Sequence, residues 1–117
     1  MQTEERKIIR SIVLPFLFVF LLCAIWAIDF IGDYKFGVLG IYPLRLSGLI
    51  GILTAPLIHA DFSHLASNSV PLLVLGSALF YFYRDLALRI FVLIYLLTGV
   101  WVWLAARPAY HIGASGV

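Results

Sequence analysis

Long apolar stretches alternate with short polar segments along this chain. Residues 11–28, 62–83 and 90–106 contain no Asp, Glu, Lys or Arg. At a rise of about 1.5 Å per residue, roughly 17 to 22 residues in a helix cover the hydrocarbon core of a bilayer, which is about 30 Å thick. The pattern therefore predicts an all-α, polytopic helical membrane protein, with spans at about residues 8–30, 60–83 and 86–106.

The segment between the first two spans, residues 31–58, has a different pattern. Glycine and proline interrupt its apolar patches before any of them becomes long enough to cross a membrane. Aromatic and basic residues, such as Tyr42 and Arg45, alternate with leucine and isoleucine, as is typical of protein surface at the level of the lipid headgroups. We expect an ordered, membrane-associated loop here.

The composition supports membrane insertion. Of the 117 residues, 63% are hydrophobic and 12% are charged, unlike a soluble globular domain. The net charge of +2 is too small and too dispersed to indicate a nucleic-acid partner. Nothing in the sequence indicates a cofactor, and the expected surroundings are the lipid bilayer.

The charges also bear on topology. Arg6, Lys7 and Arg10 precede the first charge-free run, residues 11–28, as in a secretory signal peptide, but that run is long and no small-residue cleavage site follows it, which favours a retained helix. If the N-terminus is cytoplasmic, five basic residues lie inside and three outside, which favours that orientation. Inside are Arg6, Lys7, Arg10, Arg84 and Arg89; outside are Lys35, Arg45 and Arg107.

Polar residues crowd the start of the second span. Such groups are costly within a bilayer and need a reason to be there. His64 and Asn68 are four residues apart, so both project from one helix face, whereas His59 is expected at the helix entrance. One alternative is a transporter in which His59, Asp61 and His64 bind a divalent metal, although their spacing does not place them on one face and no fourth ligand is evident.

A second polar motif, Gly113-Ala114-Ser115-Gly116, follows the third span. Flanking glycines allow a sharp turn that exposes a serine hydroxyl, and a helix start offers unpaired N–H groups to a developing oxyanion. On its own, such a motif in a membrane protein is more often a site of close helix packing.

The two motifs together resemble the rhomboid family of intramembrane serine proteases. The resemblance covers essentially the whole chain and implies the first three helices and the start of a fourth, residues 113–117, of a six-helix core. It implies that Ser115 is the nucleophile, that His64 and Asn68 form the oxyanion hole, that His59 supports the site, and that Gly113 and Gly116 complete the motif. One departure is that residues 29–56 lack the Trp-Arg pair found in many rhomboids, so the detailed packing of that loop does not carry over.

The resemblance implies hydrolysis of peptide bonds in or near transmembrane segments of membrane proteins, in a bacterial cytoplasmic membrane. The family takes its general base from a histidine on the sixth helix, so these 117 residues alone are expected to be inactive. His111 is an alternative base if one helix carries both His111 and Ser115, but Pro108 and Gly113 favour a loop there. His59 or His64 is also geometrically possible as the base, although His64 paired with Asn68 fits a pair of hydrogen-bond donors better than a proton acceptor. A further alternative is an inactive relative that binds transmembrane clients without cleaving them.

Overall fold

The computed structural model describes residues 3–106 and 109–113, and three long helices dominate this part of the chain. Helix α1 covers Thr3–Gly32, helix α3 covers Phe62–Phe82 and helix α4 covers Arg84–Ala105. Each is long and apolar enough to cross a membrane. The prediction of an all-α polytopic membrane protein is therefore confirmed.

Helix α1 extends beyond the span predicted at about residues 8–30. Glu4 and Glu5 lie in its first turn, where the positive end of the helix dipole stabilises their carboxylates. At its other end the helix continues to Gly32.

The helices pack around a small apolar core. Leu22 of α1 and Leu65 of α3 are buried at its centre, with Phe18 and Trp26 packed beside them. Phe18 also meets Phe91 of α4 edge to face, with ring centroids 5.1 Å apart. Most of the other large apolar side chains of these helices point outward, as expected where lipid replaces water.

Small residues allow two close approaches within this framework. A Cβ atom built at Gly76 of α3 would lie 3.2 Å from Pro15 Cγ of α1, and one built at Gly99 of α4 would lie 2.7 Å from Ile52 Cγ2. Side chains larger than hydrogen at these positions would push the neighbouring elements apart.

The beginning of α1 lies beside the end of α3. The Tyr81 hydroxyl donates to a Glu4 carboxylate oxygen at 2.8 Å, and the Lys7 ammonium lies 4.4 Å from the centroid of the Tyr81 ring. The basic residues in the first turns of α1 therefore share one end of the molecule with Arg84, where α4 begins.

The connection between α1 and α3, residues 33–61, is called the first loop here. It is built from short helical turns at Phe36–Leu39, Leu46–Gly48, Gly51–Thr54 (helix α2) and Ala55–Leu57. The loop is tied to the end of α4, because Leu44 N–H donates to Trp103 O at 3.0 Å and the Trp103 indole N–H donates to Arg45 O at 2.9 Å. Several of its apolar side chains are exposed, Leu46 by 83%, in keeping with a segment that contacts lipid.

Candidate active site

The start of α3 is set by Asp61. This residue is extended, with φ −145° and ψ 169°, and its carboxylate accepts a hydrogen bond from the His64 backbone N–H at 2.7 Å. Asp61 is thus a helix N-cap that satisfies one of the backbone donors left free in a first helical turn. The cap fixes His64 in that turn and places Asn68 one turn further on.

His59 lies before α3, as the sequence predicts, and its side chain is only 2% exposed. Its ring centroid is 5.0 Å from that of His64, with the two rings inclined by 65°. Burial, and then the charge of His64, lower the pKa of His59 to about 4, although a hydrogen bond with the Leu57 backbone acts in the opposite direction. His59 is therefore a neutral imidazole at neutral pH that packs against His64.

The chain returns to this helix start after α4. Ile41 of the first loop and His111 form an isolated antiparallel bridge, with Ile41 N–H donating to His111 O at 2.9 Å and His111 N–H donating to Ile41 O at 2.8 Å. Two residues later, Gly113 N–H donates to Ala55 O at 2.8 Å. The first loop therefore brings Gly113 beside α3.

Gly113 meets both polar residues of α3. A Cβ atom built on it would lie 2.8 Å from His64 Cε1, 2.9 Å from His64 Nε2 and 3.4 Å from Asn68 Nδ2. Its φ is +103°, a conformation that residues with a side chain rarely adopt. The backbone conformation favours glycine here, and any side chain would also have to displace the His64 ring.

Asn68 presents a hydrogen-bond donor at this contact. Its Nδ2 atom is buried and has no acceptor among the residues that the structure describes. Leaving a buried donor unsatisfied typically costs about 1 to 3 kcal/mol, so such a group calls for an explanation. A donor beside Gly113 is suited to donate a hydrogen bond to a substrate oxygen on which negative charge develops.

Four of the residues singled out from the sequence thus come together: His59, His64, Asn68 and Gly113. Ser115 and Gly116 lie outside the described residues. His111 is in the bridge with Ile41 rather than in a helix, as the loop prediction required.

The metal-site alternative gains no support from the geometry. Among residues 3–106 and 109–113, no group of three His, Cys, Asp or Glu side chains is arranged to hold a metal ion. The Asp61 carboxylate instead caps α3.

The sequence did not reveal the role of Ala55 and Ile41. Both hold the segment that leads into Gly113 through backbone groups, which every residue type except proline provides in full. The one residue in the sequence that could have indicated this packing is Gly51. A Cβ atom at that position would lie 2.3 Å from the carbonyl carbon of Gly40. Glycine there lets two parts of the first loop touch through their backbones.

Comparison with known proteins identifies relatives of this chain. The family model described as "Rhomboid domain" matches residues 46–117. Uncharacterised proteins of Mycobacterium tuberculosis and Mycobacterium bovis are each 41% identical to it over 111 residues, which cover 86% of this chain and 44% of the relative. An uncharacterised protein of Mycobacterium leprae is 31% identical over 106 residues, which cover 86% of this chain and 42% of the relative. The chain thus spans less than half the length of these curated relatives, and no solved structure gives a significant match.

Proposed function

Because this chain belongs to the rhomboid family, which contains serine proteases, we propose that the full-length protein is an intramembrane serine endopeptidase. Its substrates are membrane proteins, and it hydrolyses peptide bonds in or near their transmembrane segments. The three membrane-spanning helices are consistent with a reaction that takes place at the bilayer.

One observation carries the proposal: the backbone of Gly113 lies against His64 and Asn68. Gly113 opens the Gly-Ala-Ser-Gly motif, so Ser115 is only two residues along the chain from that contact. At about 3.3 to 3.6 Å per residue, two residues reach no more than about 7 Å. The proposal rests on this short separation along the chain between the contact and the proposed nucleophile, because Ser115 itself lies outside the described residues.

In the first step, the Ser115 hydroxyl oxygen attacks the scissile carbonyl carbon while a general base removes its proton. The resemblance assigns that base to a histidine on a later helix of the full-length protein. The carbonyl oxygen becomes an oxyanion, which accepts hydrogen bonds from His64, Asn68 and the Ser115 backbone N–H. The amine then leaves with a proton returned by the base, and an acyl-enzyme remains.

In the second step, water attacks the acyl carbon while the base takes a proton from it. The bond between that carbon and Ser115 Oγ then breaks and the base returns the proton to Oγ, so that a carboxylic acid and free Ser115 are produced. The same donors stabilise the second oxyanion. Asn68 suits this role because its buried Nδ2 has no acceptor among the described residues. His59 packs against His64 and restricts the orientation of that ring.

The test uses the full-length protein in liposomes with a single-span membrane protein as substrate. The wild type and Ser47→Ala, which alters an exposed serine of the first loop, should both cleave the substrate, whereas Ser115→Ala should leave it intact. Cleavage by Ser115→Ala at the wild-type rate would refute the assignment of the nucleophile. A wild type that binds the substrate without cleaving it would identify a client-binding protein instead.

A further inference from the structure

Two arms of the first loop hold the segment that leads into Gly113. One arm contains Ile41, which exchanges two backbone hydrogen bonds with His111 at 2.9 and 2.8 Å. The other arm contains Ala55, whose carbonyl oxygen accepts from Gly113 N–H at 2.8 Å. The position of Gly113 relative to α3 therefore depends on how the two arms are held relative to each other.

The arms touch through their backbones. A Cβ atom built at Gly51 would lie 2.3 Å from the Gly40 carbonyl carbon and 2.3 Å from the Ile41 nitrogen. A Cβ atom built at Gly40 would lie 2.7 Å from His111 O. The two arms and the segment that they hold thus form one closely packed unit.

A single side-chain hydroxyl joins the two arms beside this contact. Thr54 Oγ1 donates to Leu39 O at 2.5 Å, while Ile50 O, one turn earlier in the same arm, lies 3.1 Å away. Leu39 is two residues before Ile41, and Thr54 immediately precedes Ala55. The Thr54 hydroxyl therefore links two stretches of backbone, each within two residues in sequence of a residue that holds His111 or Gly113.

We propose that Thr54 is a positioning residue for the reaction: its hydroxyl fixes the two arms relative to each other, and so keeps Gly113 against His64 and Asn68. The inference rests on the proposed function, because the position of Gly113 matters to catalysis only if Ser115 is the nucleophile. Thr54 acts through the backbone bonds that hold the segment 111–113.

The rival explanation is that the hydroxyl serves only its own helical turn. Threonine commonly donates to the carbonyl four residues earlier, and Ile50 O is in that position. In that case the loss of the hydroxyl would alter the stability of the first loop without moving Gly113. The two explanations differ in what they predict for the segment 111–113 and for turnover.

The test compares variants of the full-length protein in lipid nanodiscs. Thr54→Val keeps the shape of the side chain but lacks the hydroxyl, and Thr54→Ser keeps the hydroxyl but lacks the methyl group. Ser11→Ala is the matched control, because Ser11 Oγ donates to Ile8 O at 2.7 Å within α1. It removes a hydroxyl-to-carbonyl bond of similar kind in another part of the molecule.

Two readouts are needed, of which one does not depend on activity. Hydrogen exchange at the amides of His111 and Gly113 should be about tenfold faster in Thr54→Val, and near the wild-type rate in Thr54→Ser and Ser11→Ala. The kcat for a transmembrane substrate should fall about tenfold in Thr54→Val with KM within about twofold of wild type, since a misplaced site weakens transition-state binding rather than substrate binding. Thr54→Ser should restore kcat.

The outcomes separate the two proposals. Unchanged exchange at His111 and Gly113 together with unchanged kcat in Thr54→Val would overturn the positioning role and leave the proposed function intact. A wild type that cleaves no better than Ser115→Ala would overturn both. If Thr54→Val does not fold, Thr54→Ala also lacks the hydroxyl and places a better helix former in α2, and the same expectations apply to it.

Discussion

Gly113 and His64 approach each other so closely that no side chain fits between them. A Cβ atom on Gly113 would lie 2.8 Å from His64 Cε1 and 2.9 Å from His64 Nε2. Because the φ of Gly113 is also +103°, a larger residue here would be strained in its backbone and would also have to displace the His64 ring. The contact joins the two halves of the proposed active site, His64 and Gly113, which are 49 residues apart in the chain.

Gly113→Ala should therefore impair catalysis more than folding. We expect the cleavage rate to fall by at least about tenfold, because either His64 or the backbone before Ser115 must move. The stability cost should be about 1 to 3 kcal/mol, as is typical of a strained backbone conformation. Cleavage assays and thermal unfolding of the full-length protein measure the two effects.

The control for this variant is Gly37→Ala. A Cβ atom at Gly37 would meet nothing within 4 Å, so the substitution adds the same methyl group at an open position of the first loop. A Gly113→Ala variant with the activity of Gly37→Ala would contradict the close contact with His64.

His64→Ala and Asn68→Ala should each lower kcat by about 10² to 10³, the usual effect of losing one oxyanion donor. The nucleophile itself would remain, so part of the labelling of Ser115 by a serine-directed probe should persist. Ser63→Ala, which alters an exposed residue of the same helical turn, provides the control and should react like the wild type. Complete loss of labelling in His64→Ala would contradict its role as a donor and favour a role as the base.

Asp61→Ala should destabilise the protein by about 1 kcal/mol, because it removes the N-cap of α3. Asp61→Ser should retain most of the stability, since a serine hydroxyl caps helices nearly as well. Thermal unfolding in detergent measures both. Equal losses in the two variants would show that the carboxylate contributes something other than a cap.

His59 should make stability depend on pH. Its pKa is about 4 in the folded protein and 6.5 when unperturbed, so the unfolded chain binds more protons between these values. Stability should be greatest above about pH 6.5 and should fall as the pH decreases towards about 4. His59→Gln should flatten this part of the pH profile, and a profile of unchanged slope in that variant would assign the titration to another group.

The sequence was sufficient to predict the membrane architecture. Charge-free stretches predicted three spans, and the third, predicted at about residues 86–106, corresponds to α4, which begins at Arg84. Four-residue spacing likewise predicted that His64 and Asn68 share a helix face, since that relationship depends only on helix geometry.

The arrangement of the first loop could not be predicted in the same way. Its essential contacts, between Ile41 and His111 and between Ala55 and Gly113, are backbone bonds between residues distant in sequence. Backbone groups are common to nearly all residues, so their pairing leaves little trace in residue type. The Thr54 hydroxyl is likewise indistinguishable in the sequence from one that only bonds within its own turn.

The most direct test of the central claim is the reactivity of Ser115. The full-length protein in lipid nanodiscs is treated with a fluorophosphonate probe, and the modified residue is located by mass spectrometry. We predict one adduct on Ser115, abolished in Ser115→Ala and much slower to form in Gly113→Ala than in Gly37→Ala. No adduct on Ser115 in a folded wild-type protein, or an adduct on another serine, would contradict the claim that Ser115 is a nucleophile served by His64 and Asn68.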